Sequence, residues 1–394
     1  MERFFRAHKS LGGRERGQIA EITYGCLRHY RRLTAISGDT APVALVGAYL
    51  ATVEGLSARA LDALGLQATD ELLAGAHREA HWPWPVATSI PDWLAEDLTR
   101  ALGADEAQEL ARAWLKPAPL DIRCNTIRGE RALLMEQLRA EGHELSPTPY
   151  SPWGLRRASR APLFRTQAFS EGRFEVQDEA SQLIAPLLEA RRGERIVDFC
   201  AGAGGKTLHI GALMGNSGTL YAFDTSAKRL ERMKGRVARA GLDNVRIQTI
   251  TGHHDQKIKR LHGKIDRVLV DAPCSGTGTL RRSPDIKWRI TPETVTRLAH
   301  EALAILAAAA RLVRPGGRLV YATCSVLPAE NEEVAAAFLR AHPEFAAIDT
   351  QAILTRRKIA LPDAPPGTAL HLLPHRHGTD GFFAQAFDRR PAAP

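Results

Sequence analysis

Two cysteines stand where thiols could act together: Cys274 in Asp271-Ala272-Pro273-Cys274 and Cys324 in Thr323-Cys324-Ser325. Each follows a short apolar run that reads as a buried strand. Strands of one parallel sheet end on the same side, so residues at their ends face one crevice. A thiolate there is a strong nucleophile toward an electron-poor carbon, and a second thiol beside it suits release of a covalent intermediate. The other three cysteines, Cys26, Cys124 and Cys200, read as small core hydrophobes. Five cysteines, widely spread and none in a Cys-x-x-Cys pair, argue against a disulfide framework or a zinc site and for a reducing compartment. His253-His254 has no further ligands at metal spacing and reads as a polar loop, so no metal is expected.

The stretch Asp198-Phe199-Cys200-Ala201-Gly202-Ala203-Gly204-Gly205-Lys206-Thr207 follows a predicted strand and opens a helix. Its glycines let the backbone approach a ligand, and the helix start offers free N–H groups. A phosphate-binding P-loop needs glycine where Cys200 stands, and a dinucleotide loop needs glycine where Thr207 stands. S-adenosylmethionine is the cofactor that remains. Asp224 ends the next strand, where a carboxylate can accept both ribose hydroxyls, although Ser226 and Lys228 after it also suit a helix cap.

The Pro-Cys segment narrows the chemistry. Methylation of an exocyclic amine would call for Asn or Asp, then Pro-Pro and an aromatic to stack on the base, and Cys274 occupies the aromatic position. Attack at a ring carbon is therefore expected. Cytosine C5 is a poor nucleophile until a thiolate adds to C6 and makes C5 enamine-like. The base must leave its stack for this to happen.

Positioning these groups requires a parallel sheet. Strands are expected at Arg195 to Phe199, Thr219 to Phe223, Val245 to Ile250, Asp266 to Val270 and Arg318 to Thr323, with helices between them. The helix before the last strand should start with Thr291 as cap and Pro292 at its first position, and stop at Pro315-Gly316-Gly317. Residues 1–116 show helical periodicity, 117–173 read as a small Pro-rich α+β module, 174–390 as the α/β domain, and 391–394 as a disordered tail. The chain has 394 residues, 44% hydrophobic, with a net charge of +9, which favours a polyanionic partner such as nucleic acid. Arg14, Arg16, Arg28, Arg31 and Arg32 form either a phosphate-facing or a solvated face, and Arg156, Arg157, Arg160 and Arg165 give the small module a basic surface. The longest apolar stretches, Val43 to Val53 and Ala302 to Ala310, fall short of a membrane span, and a cytoplasmic protein is expected.

The combined motifs resemble the Sun/RsmB/NSUN family of RNA cytosine-C5 methyltransferases. The likeness rests on Asp198 to Thr207, on Asp271-Ala272-Pro273-Cys274-Ser275-Gly276-Thr277-Gly278 and on Tyr321-Ala322-Thr323-Cys324-Ser325. It extends to Val176-Gln177-Asp178-Glu179-Ala180-Ser181, Pro284-Asp285-Ile286-Lys287-Trp288-Arg289 and Asp380-Gly381-Phe382-Phe383. Leu11 to Arg16 with Tyr24 to His29 is similar to the NusB-like domain of the bacterial ribosomal-RNA branch, and Arg123-Cys124-Asn125-Thr126 to its middle RNA-binding module. The resemblance implies a Rossmann-like S-adenosylmethionine methyltransferase domain, an N-terminal all-α NusB-like domain and a small α+β linking module. It implies Cys324 as nucleophile, Cys274 as the group assisting release, and Asp271 as a contact to the base, with Lys206 reaching the base or the Pro-Cys loop. Cys200, Ala201, Gly202, Ala203, Gly204, Gly205, Lys206, Asp224 and Asp271 would hold the cofactor. The family's acidic adenine contact is missing after the third strand, and Asp255 is the expected substitute. Arg281, Arg282, Lys287 and Arg289 would contact phosphate. The implied partner is RNA, small-subunit ribosomal RNA first and transfer RNA as the alternative, with no membrane and a monomeric chain. A non-catalytic RNA-binding or ribosome-assembly factor with the same fold is the second reading. DNA cytosine methylation is a third, and would put the nucleophile at Cys274 instead.

Overall fold

The computed structural model describes residues 1–66, 82–157, 163–361 and 367–391, so Arg160 and residues 392–394 lie outside the described residues. The chain divides into two compact units, Met1–Pro117 with Thr279–Ile290, and Ala118–Gly278 with Thr291–Pro394.

The first unit is helical. Helices Gly13–Arg28, Tyr30–Ser37 and Pro42–Thr52 pack around Leu33, Ile36, Leu45 and Ala48, and Asp92–Leu102 and Ala104–Trp114 follow. Segment 279–290, expected within the α/β domain, folds into this unit instead. Helix Gly13–Arg28 ends with carbonyls that have no partner within the helix. The Lys287 ammonium donates to Arg28 O at 2.7 Å, and the Trp288 indole N–H donates to Leu27 O at 2.7 Å. Burial, and next the Arg28 charge, lower the Lys287 ammonium to about 7, against the pull of the negative end of the helix dipole. Lys287 is buried and committed, which corrects its expected role as a phosphate contact. Arg281 is also engaged, donating to Pro117 O at 3.0 Å, whereas Arg289 is exposed and pairs with Asp285 at 2.6 Å. Arg28 is buried and Arg31 pairs with Asp92 at 2.7 Å, so neither belongs to a simple solvated face.

The second unit holds two sheets. Strands β1 (Leu120–Cys124), β2 (Ser146–Pro147), β3 (Gly154–Arg157) and β4 (Phe174–Val176) form an antiparallel sheet in the order β2-β3-β1-β4. Residues 121–124 of β1 are all buried, against the alternation expected of a half-exposed strand. The reason is that its polar side chains find partners inside. Asp121 accepts from Arg156 at 2.7 Å, so Arg156 is an internal ion-pair member rather than a surface cation, and Arg123 donates to Gly205 O at 2.8 Å.

The larger sheet has eight strands: β5 (Arg195–Asp198), β6 (Thr219–Asp224), β7 (Val245–Thr249), β8 (Ile265–Asp271), β9 (Val313–Thr323), β10 (Phe345–Ile348), β11 (Leu370–Leu372) and β12 (Phe382–Arg389). The order is β10-β12-β9-β8-β5-β6-β7, with β11 beside β12; β5 to β9 pair in parallel and β12 runs antiparallel to β9. Both faces are covered, so strand residues alternate between two cores rather than between core and water. Val268, Val270, Leu319 and Tyr321 enter one core, and Leu269, Val320 and Ala322 the other. Helix Pro292–Ala310 starts as expected, Thr291 accepting from the Thr294 N–H. It ends earlier than expected, because β9 begins at Val313 and takes in Pro315-Gly316-Gly317. Among the described residues no single helix is long and apolar enough to cross a membrane.

Close backbone contact beyond the ends of β8 and β9 depends on glycine. Gly278 N–H donates to Cys324 O at 2.9 Å and Gly381 N–H to Gly278 O at 2.8 Å. A Cβ at position 278 would lie 2.1 Å from Gly381 O. Gly278→Ala is therefore expected to destabilise the protein by about 1–3 kcal/mol through overpacking. Gly235→Ala, in exposed helix Ala227–Ala240 with nothing within 4 Å of the added carbon, should stabilise it by about 0.5–1 kcal/mol. Urea unfolding of the two variants checks this; coincident midpoints would contradict the packing argument.

Candidate active site

Three neighbouring parallel strands end in carboxylates: Asp198 on β5, Asp224 on β6 and Asp271 on β8. Like charges so close need compensation, and each is compensated differently. Asp198, fully buried, accepts from the Thr207 hydroxyl at 2.6 Å. Asp224 accepts the backbone N–H of Ser226 at 2.7 Å and of Gly202 at 2.9 Å. Asp271 pairs with the Lys206 ammonium at 2.7 Å, and that ammonium also lies 4.8 Å from the centre of the Phe382 ring. Ser226, not Asp224, caps the helix that follows β6, its side chain accepting from Arg229 N–H.

These groups line a cavity of 620 Å³ at the carboxyl ends of the strands, beside the point where the chain order reverses about β5. Cys200, Ala201, Gly202, Ala203, Gly205 and Lys206 line it. Gly204 does not. It turns the chain into helix Gly205–Leu213 with φ +90°, and a Cβ there would meet Met233 Cγ at 2.6 Å. The loop is held from behind by Arg236, which donates to Ala203 O at 2.6 Å and pairs with Glu175 of β4 at 2.9 Å. Burial pushes the Cys200 thiol up, so it lines the cavity as a neutral group.

Asp255 does not line the cavity, which corrects its expected role. Its carboxylate accepts Lys257 N–H at 2.8 Å and Thr251 N–H at 2.9 Å, capping the short helix Gln256–Lys259. Those bonds hold the carboxyl below its ordinary value. That side of the cavity is made instead by Ile250, Gly252, His253, Glu301 and Ile305.

Cys274 and Cys324 also line the cavity, with sulfurs 3.5 Å apart. The pairing of Asp271 with Ala322 across β8 and β9 puts both turns at the same level. Both side chains are partly exposed. The hydrogen bond to Cys324, together with burial, pushes the Cys274 thiol well above its ordinary value. Either sulfur can donate in this pair.

Several cavity or support residues had no role in the sequence reading. Gln177 and Ser181 line the cavity and bond to each other at 3.0 Å. Both fall in a motif that carried the family likeness, which was the available signal. Glu330 and Asn331 lie buried behind the two cysteine turns. They open the polar run Glu330-Asn331-Glu332-Glu333, which gave no signal that its first two residues would be buried.

The model of the 16S rRNA methyltransferase RsmB/F family matches residues 185–388, and that of the RsmF/B-like ferredoxin-like domain matches residues 90–163. The chain is 36% identical over 298 residues to the probable ribosomal RNA small subunit methyltransferase B of Bacillus subtilis, covering 75% of this chain and 65% of that protein. It is 32% identical to the ribosomal RNA small subunit methyltransferase B of Pseudomonas syringae, covering 83% and 79%. The crystal structure of PH0851 superposes with a TM-score of 0.80 at 27% identity, covering 98% of this chain and 93% of that one. The chain spans 65 to 66% of the length of several bacterial relatives bearing the methyltransferase B name.

Burial pushes the Asp198 carboxyl up to about 7, against the bond from Thr207. In an unfolded chain the same group titrates near ~3.9. Between those values the folded protein holds a proton that the unfolded chain has lost, so this group makes stability fall as pH rises from about 4 to about 7. Asp198→Asn removes the titration. Its stability relative to the parent is expected to improve steadily across that window in urea unfolding at stepped pH, and a pH-independent difference would count against a proton on Asp198.

Proposed function

The chain belongs to the 16S rRNA methyltransferase RsmB/F family, and from that premise we propose that it transfers a methyl group from S-adenosyl-L-methionine to C5 of a cytosine in small-subunit ribosomal RNA. The observation that carries this reading is the pair of sulfurs 3.5 Å apart on the wall of the cavity that also holds the glycine loop. A second thiol beside the nucleophile suits covalent capture followed by release.

The residues fit the cofactor. The Asp224 carboxylate spends two acceptor sites on backbone N–H groups and keeps lone pairs for the ribose hydroxyls. The loop Cys200 to Lys206 lines the same cavity, leaving open space at Gly202. When bound, S-adenosylmethionine supplies an electrophilic methyl carbon on a sulfonium sulfur.

The protein's part is to make C5 reactive and then restore the ring. Cys324 adds as thiolate to C6 of a flipped cytosine, forming the S–C6 bond and shifting the C5–C6 π electrons onto C5. Asp271 faces the base near N3 and favours protonation there, while Lys206 at 2.7 Å fixes the orientation of that carboxylate. After C5 is methylated, its proton passes to solvent water, the electron pair of the broken C–H bond re-forms the C5–C6 double bond, and Cys324 departs as thiolate. Cys274 assists that release.

Cys324→Ala is expected to lower methyl transfer by about 10⁴-fold or more, because it removes the sulfur that bonds to C6. Cys274→Ala should still attack RNA and accumulate an RNA–protein adduct stable to denaturing electrophoresis. An adduct that forms only when Cys274 is present would reverse the two roles. Bisulfite sequencing of ribosomal and transfer RNA from cells with and without the gene identifies the modified base, and no lost 5-methylcytosine in either would defeat the reading.

A further inference from the structure

Behind the two cysteines lies a buried polar cluster that the reaction as described does not use. Glu330 is 1% exposed and ends the short turn Pro328–Glu330. Its Oε1 accepts the Ser275 N–H at 2.6 Å, and its Oε2 accepts the Ser275 hydroxyl at 2.5 Å. Ser275 directly follows Cys274. The Ser275, Thr277 and Ser325 hydroxyl oxygens then lie 3.1 to 3.3 Å from one another. The next residue, Asn331, is 3% exposed and serves the other turn. Its Oδ1 accepts the Thr323 hydroxyl at 2.5 Å, and its Nδ2 donates to Ser325 O at 3.0 Å. Thr323 and Ser325 flank Cys324.

A buried carboxylate is costly unless it is fully hydrogen-bonded. Burial pushes the Glu330 carboxyl up, and the bonds from Ser275 and Ser325 oppose that. An ordinary turn cap could sit at the surface, where its desolvation would cost little. This carboxylate sits in the interior and spends both oxygens on the residue beside Cys274, while its chain neighbour grips both residues beside Cys324. The two thiol turns are thus tied to consecutive residues of one rigid turn. That turn is further anchored by the Tyr321 hydroxyl, which donates to Glu330 O.

We propose that Glu330 and Asn331 are positioning residues for the thiol pair, Glu330 holding the Cys274 turn and Asn331 the Cys324 turn, so that this dipeptide sets the separation of the two sulfurs. The catalytic consequence rests on the function proposed above, whereas the claim about sulfur separation stands apart from it.

The test uses the full chain and phenylarsine oxide, a trivalent arsenical that bridges two neighbouring thiols with loss of water. Cys274→Ala supplies the background from the other cysteines. The parent protein should bind one equivalent tightly. Glu330→Gln and Asn331→Ala should bind it about tenfold or more weakly and lose a similar factor in kcat with little change in KM, since a misplacement near 1 Å costs up to about 10²-fold. Glu330→Gln keeps one acceptor for the Ser275 N–H and should lose less than Glu330→Ala. Ser275→Ala, which removes a hydroxyl and leaves the backbone bond, serves if the Glu330 variants unfold, and should fall between parent and Glu330→Gln. Variants that melt cooperatively, bind arsenical like the parent and turn over normally would overturn the proposal. So would a loss of kcat with arsenical binding unchanged. If Cys274→Ala forms no RNA adduct and the parent transfers no methyl group, yet the Glu330 and Asn331 variants lose arsenical binding, the functional reading fails and the positioning role stands.

Discussion

The parallel pairing of β8 with β9 is the constraint on which the site depends. With Asp271 opposite Ala322, both strands end at one level, and the turns that follow carry Cys274 and Cys324 to 3.5 Å. A slip of one residue would turn every side chain of a strand to the opposite face. It would also move the thiol out of reach of its partner. The register is specified because both faces of the strands are buried, so each residue of Leu319 to Ala322 has an assigned core. Gly278 and Gly381 then let three backbones meet where any side chain would intervene.

Electrostatics decide how the crevice at those strand ends can be populated. Three carboxylates face it, and the fold neutralises them by burial and a hydroxyl, by backbone amides, and by Lys206. The outcome is three acidic side chains with different capacities. Asp198 is locked in the wall, Asp224 has spare lone pairs toward the cavity, and Asp271 is oriented by a cation. Similar sequence positions thus acquire separate roles from their surroundings.

Support for the site also comes from outside the larger sheet. Arg123 of β1 reaches Gly205 O at the start of helix Gly205–Leu213, and Glu175 of β4 holds the arginine that grips Ala203 O. Basic residues of the small sheet that look suited to an RNA surface are therefore partly internal struts. In the helical unit the same holds for Lys287, whose ammonium completes the end of helix Gly13–Arg28. Charge counted along a chain does not distinguish a cation facing solvent from one that satisfies buried carbonyls.

By itself the sequence determined the α/β class, the strands that matter, the glycine loop and the two cysteines that the fold brings together. Those properties are local: apolar runs of strand length, glycine and proline at turns, and residue types next to strand ends. It also carried the family likeness, through motifs short enough to be recognised without a fold. What only tertiary structure decided is which distant groups meet. Asp255 became a cap because its own loop supplies the N–H donors of Thr251 and Lys257. Residues 279–290 joined the helical unit, where their lysine and tryptophan donate to the carbonyls that end helix Gly13–Arg28. Glu330 and Asn331 took their place behind the thiols because burial is a property of the packed chain, and nothing in the spacing of two polar residues records what will surround them.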